Sequence, residues 1–251
     1  MIDIHSHILP MVDDGANSVR MALEMLEIAC RNGTHQIVLT PHHAPVYGFE
    51  NPKEKIQELF GQLQEIVWQQ RIPIQIYLGT EYLMEDPARF AQEWQSVQML
   101  NDSRYLLMEF FFDISEQEMQ RGIDAVQAKG WIPVIAHPER YDCIKVFPGA
   151  AESLVQQGAL LQMNKASPLG GYGRHTRAAA LELLERGLYT VVGSDTHRPE
   201  GRDPNMAQAY DFIYRCFGRA YCESLFERNP QAILENMELE EGERSEEFED
   251  F

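Results

Sequence analysis

Short apolar, β-branched runs alternate with amphipathic segments along the whole chain. The runs predict strands at 2–7 (IDIHSH), 36–40 (QIVLT), 74–81 (IQIYLGTE), 105–110 (YLLMEF), 132–138 (IPVIAHP), 159–164 (ALLQMN) and 189–195 (YTVVGSD). Between the first three lie SVRMALEMLEIACRNG, apolar at three- and four-residue intervals and ending at Gly33, and PKEKIQELFGQLQEIVWQQ, with Pro52 expected in its first turn. After the seventh strand, helical patterns fill about 204–217, 219–228 and 230–237. Strand and helix alternating throughout predict parallel strands covered by helices. Seven such units in one domain point to a barrel related to the eight-fold type, with an open sheet as the alternative. No internal repeat or linker interrupts the pattern.

The polar residues that break the pattern fall at one kind of place. His5 and His7 lie on one face of the first strand, because side chains alternate. His42 and His43 follow the second strand, Glu81 ends the third, Glu109 the fourth and His137 the fifth; Asp195 and His197 follow the seventh. In parallel α/β folds the carboxyl ends of strands converge on one face and carry the active site. Any one of these residues alone reads as an ordinary satisfied polar group. Six strands delivering imidazoles and carboxylates to one rim instead predict bound cations, since such a crowd would otherwise repel or be forced neutral. Mixed nitrogen and oxygen donors favour manganese, iron or zinc over calcium, and the absence of cysteine argues against a closed structural zinc site. Open positions on clustered ions suit ester hydrolysis. Arg140 in HPERY and Arg202 in EGRDP follow ligand-bearing strand ends, placed to grip phosphate bidentately; an ordinary surface ion pair is the competing assignment for each.

Composition narrows the class. The chain has 251 residues and a net charge of −18. Residues 237–250 carry eight acids against one arginine, so an acidic, disordered tail is expected over 238–251 beyond a single domain at 1–237. The body stays acidic without the tail, which excludes nucleic acid as a ready partner. No run of 18 apolar residues and no basic-then-apolar leader is present, so neither membrane insertion nor secretion is expected, and four scattered cysteines fit a reducing cytoplasm. Cys222 and Arg228 have the Cys-x5-Arg spacing of thiol phosphatases, but Leu225, Phe226 and the flanking glutamates read as helix and would raise the thiol pKa.

The motifs IDIHSHILP…DDG, TPHH, LNDSRYLLMEF, PVIAHPERY and SDTHRPEGR, in this order, resemble the bacterial PHP-type (polymerase and histidinol phosphatase) protein tyrosine phosphatases of capsule and exopolysaccharide systems. The likeness runs from Met1 to about Asn236. It implies a distorted seven-stranded (β/α) barrel holding three divalent ions, manganese foremost. One ion would take His5, His7, Glu81 and Asp195; a second would share Glu81 and add Glu109 and His137; the third would take Asp14, His42 and His197. Arg140 and Arg202 match the phosphate-handling arginines, and His43 an additional polar position outside the ion sets. The implied substrate is a tyrosine-phosphorylated protein, the tail of a bacterial tyrosine kinase. The competing readings are another phosphoesterase on the same ions, such as one for histidinol phosphate, and a regulatory module that holds metal without turnover. An amidohydrolase also begins with HxH but bridges its ions with a modified lysine where this chain has Glu109.

Overall fold

The structure is a computed structural model and describes residues 1–239. In chain order its elements are β1 (Ile2–Asp3), α1 (Val19–Arg31), β2 (Gln36–Leu39), β3 (His42–His43), α2 (Lys53–Gln69), β4 (Gln75–Leu78), β5 (Glu81–Leu83) and α3 (Pro87–Glu93). There follow β6 (Tyr105–Glu109), α4 (Glu116–Gln127), β7 (Ile132–Ala136), α5 (Asp142–Val146), α6 (Gly149–Gln156), β8 (Leu160–Asn164), α7 (Gly173–Glu185) and β9 (Val191–Gly193). The helices α8 (Ala207–Phe217), α9 (Arg219–Glu223) and α10 (Asn229–Leu234) complete the order, with a turn of π-helix at Ser224–Arg228 between the last two. Ser18 caps α1 by accepting from the Met21 amide, and Gly33 follows its end at φ 90°. Pro52 stands one residue before α2 rather than inside its first turn.

Every strand pair is parallel, as the alternation predicts. The result is an α/β fold with a curled parallel sheet. The strand count differs from the expected seven: β1, β2 and β4 form one sheet, and β3, β5, β6, β7, β8 and β9 a second. The expected third strand is split at Gly79–Thr80 into β4 and β5, and beyond the second, past Thr40–Pro41 where proline has no amide to donate, His42 and His43 form a further short strand, β3. The first is a ladder only over Ile2–Asp3, because side chains take over its hydrogen bonds. The Asp3 carboxylate accepts from the His5 and Ser194 amides, and Thr40 Oγ1 accepts from the Ser6 amide. A single bridge, Ser6 to Thr196, ties the first stretch to the last.

Alternation sorts the core. Tyr105, Leu107, Val134, Ala136 and Val191 share one apolar cluster with Val38, while Leu106, Met108, Ile135 and Val192 face the cluster under the later helices. Continued two residues at a time toward the carboxyl ends, the first set reaches Glu109, Asp195 and His42. Packing thus aims the chemistry. Of the expected tail at 238–251, residues from 240 onward lie outside the described residues; Glu238 pairs with Arg104 at 3.7 Å and Leu239 packs against the core.

Two glycines give contrasting expectations. A Cβ at Gly193 would lie 2.6 Å from the His5 Cβ and 2.8 Å from Gln162 Nε2. Gly193→Ala should therefore cost about 1–3 kcal/mol of stability through overpacking. Gly61 lies exposed in α2, and a Cβ there would meet no atom within 4 Å. Gly61→Ala should stabilise by about 0.5–1 kcal/mol through helix propensity. Denaturant midpoints at unchanged slope check both signs.

Candidate metal centre

The site is built around Glu81, whose side chain is 1% exposed at the start of β5. Its Oε2 lies 3.2 Å from His5 Nε2, 3.2 Å from His7 Nε2 and 3.0 Å from His42 Nδ1. Its Oε1 lies 3.3 Å from His137 Nε2, which is also 3.4 Å from Glu109 Oε1. Asp195 Oδ1 stands 3.7 Å from His5 Nε2 and 3.5 Å from His7 Nε2. Asp14 Oδ1 is 3.3 Å from His197 Nε2 and 3.6 Å from His42 Nε2. All nine predicted ligands come together. Nine of the eleven predicted site residues, the arginines included, line one cavity of about 400 Å³; His5 and His7 are buried beneath it.

Three tight groupings of donor atoms emerge: His7, Asp14, His42 and His197; His5, His7 and Glu81; and His42, Glu81 and Glu109. They overlap the three ion sets implied by the resemblance, with four differences. His7 also reaches the Asp14 set and His42 the Glu109 set, while Asp195 and His137 stand just outside the tight groupings, at 3.5 Å from His7 Nε2 and 3.3 Å from Glu81 Oε1 respectively.

The imidazoles are aimed by partners on their far nitrogens. His5 Nδ1 donates to Gln162 Oε1 at 2.7 Å, His7 Nδ1 to Asp13 Oδ2 at 2.8 Å, and His197 Nδ1 to the Asp195 carbonyl at 3.1 Å. With Nδ1–H engaged, each Nε2 lone pair faces the cluster. Both Glu81 oxygens, meanwhile, are buried without a hydrogen-bond partner among the described residues. Imidazole nitrogens and an unsatisfied carboxylate converging at such short range are a donor set that fits divalent cations.

The electrostatics follow. Burial alone would raise the Glu81 carboxyl, but His5 and His42 outweigh it and hold the pKa well below the usual range. Burial likewise opposes ionisation of Asp195, which the His7 hydrogen bond, His5 and Arg202 overcome. Glu109 goes the other way: burial, then the Glu81 charge, push it up to about 8. Burial, then the Arg140 charge, lower His137 to about 4, and burial, then His7, lower His197 to about 4. His137 (φ 36°) and Asp195 (φ 51°) both sit in left-handed backbone at strand ends, strain that clusters at functional sites.

At the mouth, Arg202 donates to Asp195 Oδ1 at 2.5 Å and Arg140 to Oδ2 at 3.3 Å, beside Asn164 at 2.9 Å. The Arg140 guanidinium lies between the Phe112 and Tyr172 rings, 4.5 and 4.7 Å from their centroids. His43 stands apart, stacked on Tyr82 and accepting from the Asn51 amide.

Asp13, Gln162, Asn164, Phe112 and Tyr172 were not among the residues the sequence marked. Asp13 accepts from His7, from the His42 amide and from the Gly15 amide, so the first acid of DDG orients imidazole while the second joins the cluster. Strand parity offered a signal for Gln162 and Asn164, which alternate on β8. The Cys222 thiol is buried, donates to the Tyr210 carbonyl at 3.5 Å, and is pushed up to about 12 by burial and then Glu223. Arg228 instead reaches the Ala220 carbonyl. No phosphate loop forms there.

Fold and side chains together define a parallel α/β protein of the metal-dependent hydrolase class. The chain belongs to the family described as capsular polysaccharide synthesis, CpsB/CapC, which it matches over residues 1–235. It is 36% identical to the tyrosine-protein phosphatase CpsB of Streptococcus pneumoniae, over 93% of this chain and 98% of that one. It is 34% identical to the tyrosine-protein phosphatase YwqE of Bacillus subtilis (strain 168), over 95% and 93%. Among solved structures, those of YwqE and CpsB, described as unique metal-dependent tyrosine phosphatases, include a chain that superposes with a TM-score of 0.89 at 33% identity, covering 96% of each chain. A phosphotriesterase homology protein from Escherichia coli, 13% identical with a TM-score of 0.56 over 93% of this chain and 98% of that one, shares the fold.

Two outcomes follow. Below about pH 8 the Glu109 carboxyl keeps its proton in cation-free protein, and ligation requires the carboxylate. Manganese binding should therefore release protons and tighten as pH rises toward that value; calorimetry in buffers of different ionisation enthalpy measures it, and pH-independent binding would contradict it. Cys222→Ser should leave turnover unchanged, whereas a loss of about a thousandfold with folding intact would indicate a thiol nucleophile.

Proposed function

We propose that this protein is a metal-dependent protein tyrosine phosphatase acting on a tyrosine-phosphorylated protein, the tail of a bacterial tyrosine kinase in capsule or exopolysaccharide production. The observation that carries the reading is the ring of four imidazoles, two of them (His5 and His7) anchored through Nδ1, around the unsatisfied Glu81 carboxylate, beside two guanidiniums in the same cavity. The names of the relatives and the family description point to the same substrate and setting. In this reading His5, His7, Asp14, His42, Glu81, Glu109, His137, Asp195 and His197 hold three divalent ions, manganese foremost. The split strands count as seven staves of a distorted barrel, and residues 1–237 act as a single domain in the cytoplasm. Among the described residues no helix is long and apolar enough to cross a membrane.

Divalent ions held by these residues would supply acidity to a bound water near neutral pH and positive charge for the phosphoryl oxygens. The chain's own residues do the rest. Arg140 and Arg202, already convergent on Asp195, turn their remaining N–H groups to the phosphoryl oxygens as charge redistributes. Arg202 Nε, buried and without a partner among the described residues, is one such donor. Phe112 and Tyr172 keep the Arg140 plane fixed, so its bonds cost little ordering. The leaving phenol has a pKa of about 10, which lessens the demand for a general acid and favours aryl over serine phosphates.

Chelation should abolish hydrolysis of a phosphotyrosine peptide and manganese should restore it. Arg140→Ala should lower kcat by about 10²–10³ while bound metal, measured by elemental analysis, stays constant. Glu109→Ala should lose metal and turnover together. Full activity in thoroughly metal-free protein would overturn the scheme, as would serine phosphopeptides cleaved as fast as tyrosine ones.

A further inference from the structure

The cavity has two unlike halves. Its floor is titratable: Glu81 is 1% exposed, with His5 and His7 beneath it wholly buried. Its outer wall is aromatic. Phe49 lies flat on His42, with ring centroids 5.8 Å apart and 12° between planes, and so joins the two halves. Further out, Tyr47 and Phe111 meet edge to face at 6.3 Å and 76°. Phe112 on the same rim is already engaged by Arg140, which leaves the Tyr47–Phe111 pair without an assigned task.

That pair is held in place. Tyr47 ends the short turn Pro45–Tyr47, closed by the mutual Ala44 and Phe49 backbone bonds at 2.9 and 3.2 Å and by Gly48 at φ 82°. The Val46 amide donates to Glu85 Oε1 at 3.0 Å, and Arg89 steadies Glu85 at 3.3 Å. Phe111 follows the end of β6 two residues beyond Glu109 and lines the cavity with Phe110 and Phe112, its neighbour Phe110 being buried in the core as well. An aromatic ring 61% exposed on a braced turn, beside a second ring at a cavity mouth, is a surface prepared for an apolar ligand.

We propose that Tyr47 and Phe111 form the wall that receives the phenyl ring of phosphotyrosine, and that this wall adds a binding share to the aryl preference that the phenol leaving group gives in the chemical step. The assignment rests on the phosphotyrosine reading given above. A phosphotyrosine side chain carries its phosphorus a ring's length further from the backbone than phosphoserine does. With the phosphate at Arg140 and Arg202, the ring then spans the depth lined by Tyr47 and Phe111, and the polypeptide stays at the rim. A phosphoserine reaching the same floor would draw its backbone into the aromatic zone, where peptide groups lose water without gaining partners. Edge-to-face contact with a third ring adds an attraction that an alkyl phosphate lacks.

The test uses full-length, manganese-loaded protein and two probes that differ only in the ring, phenylphosphonate and methylphosphonate, with affinities from titration calorimetry. The wild type should bind the phenyl compound about tenfold or more tightly than the methyl one, with a more negative heat-capacity change. Tyr47→Ala and Phe111→Ala should each shrink that ratio severalfold, and Tyr47→Phe should retain it. On a phosphotyrosine peptide the alanine variants should raise KM more than they lower kcat. Phe111→Leu, which keeps apolar bulk, serves if the alanine variant folds poorly and should still lose part of the ratio. Equal wild-type affinity for the two probes, or a ratio unchanged in the variants, overturns the wall while leaving the phosphate site standing. Binding of neither probe overturns the wall and the phosphatase reading together.

Discussion

A carboxylate taken out of water must be surrounded by positive charge or by hydrogen-bond donors, and Glu81 is the carboxylate on which this molecule turns. Four imidazole nitrogens approach its two oxygens at 3.0–3.3 Å, delivered by chain segments far apart in sequence. The opposed shifts around it express one requirement. His5, His7 and His42 are raised because neighbouring carboxylates outweigh their burial, while Glu81 and Asp195 are lowered because imidazole and guanidinium charge outweighs theirs. Where no cation is supplied, protons on imidazole carry the compensating charge. Divalent ions do the same with more charge in less space, and leave room for chemistry.

Much of the surrounding architecture serves that convergence. Gln162 and Asp13 fix the His5 and His7 rings, Gly193 makes room for His5, and the left-handed backbone at His137 and Asp195 turns those side chains inward at the ends of β7 and β9. The ladder of the first strand gives way to side-chain hydrogen bonds just where the histidines begin. His5 and His7, two residues apart on one face, converge until their Nε2 atoms are 3.1 Å apart.

The second requirement is to admit an anion to an acidic protein of net charge −18. Long-range attraction does not supply it, so recognition falls to short-range groups at the mouth. Arg140 and Arg202 are kept there by Asp195, a residue of the cluster itself, so the phosphate grip and the cation-holding groups share one carboxylate. The aromatic half of the cavity then handles what phosphate recognition cannot, the group that carries the phosphate.

The parallel α/β class, the order of elements and eight of the nine cluster residues were legible in the sequence, because side-chain alternation and residue chemistry are local properties, while Asp14 came only from family likeness. His5, Glu81, Glu109, His137 and Asp195 could be placed at strand ends from pattern alone, and strand ends in such folds share a face. The grouping of those residues into ion sets and the roles of Arg140 and Arg202 came from family likeness rather than spacing. Other features depended on contacts between segments far apart. The split at Gly79–Thr80 follows from what that stretch packs against, a Cβ at Gly79 lying 2.8 Å from Leu100 and 3.2 Å from Thr40 and Val38, so a continuous apolar run did not reveal it. Which acid of DDG turns to His7 and which to His197 is decided by the fold of that loop against the last strand, since neighbours in sequence carry the same chemistry. The reach of His7 and His42 into two groupings, and the meeting of Tyr47 with Phe111, likewise exist only once the strand ends are brought together. Local periodicity decides what a residue can offer and which way it faces; only closure of the chain in three dimensions decides what it meets.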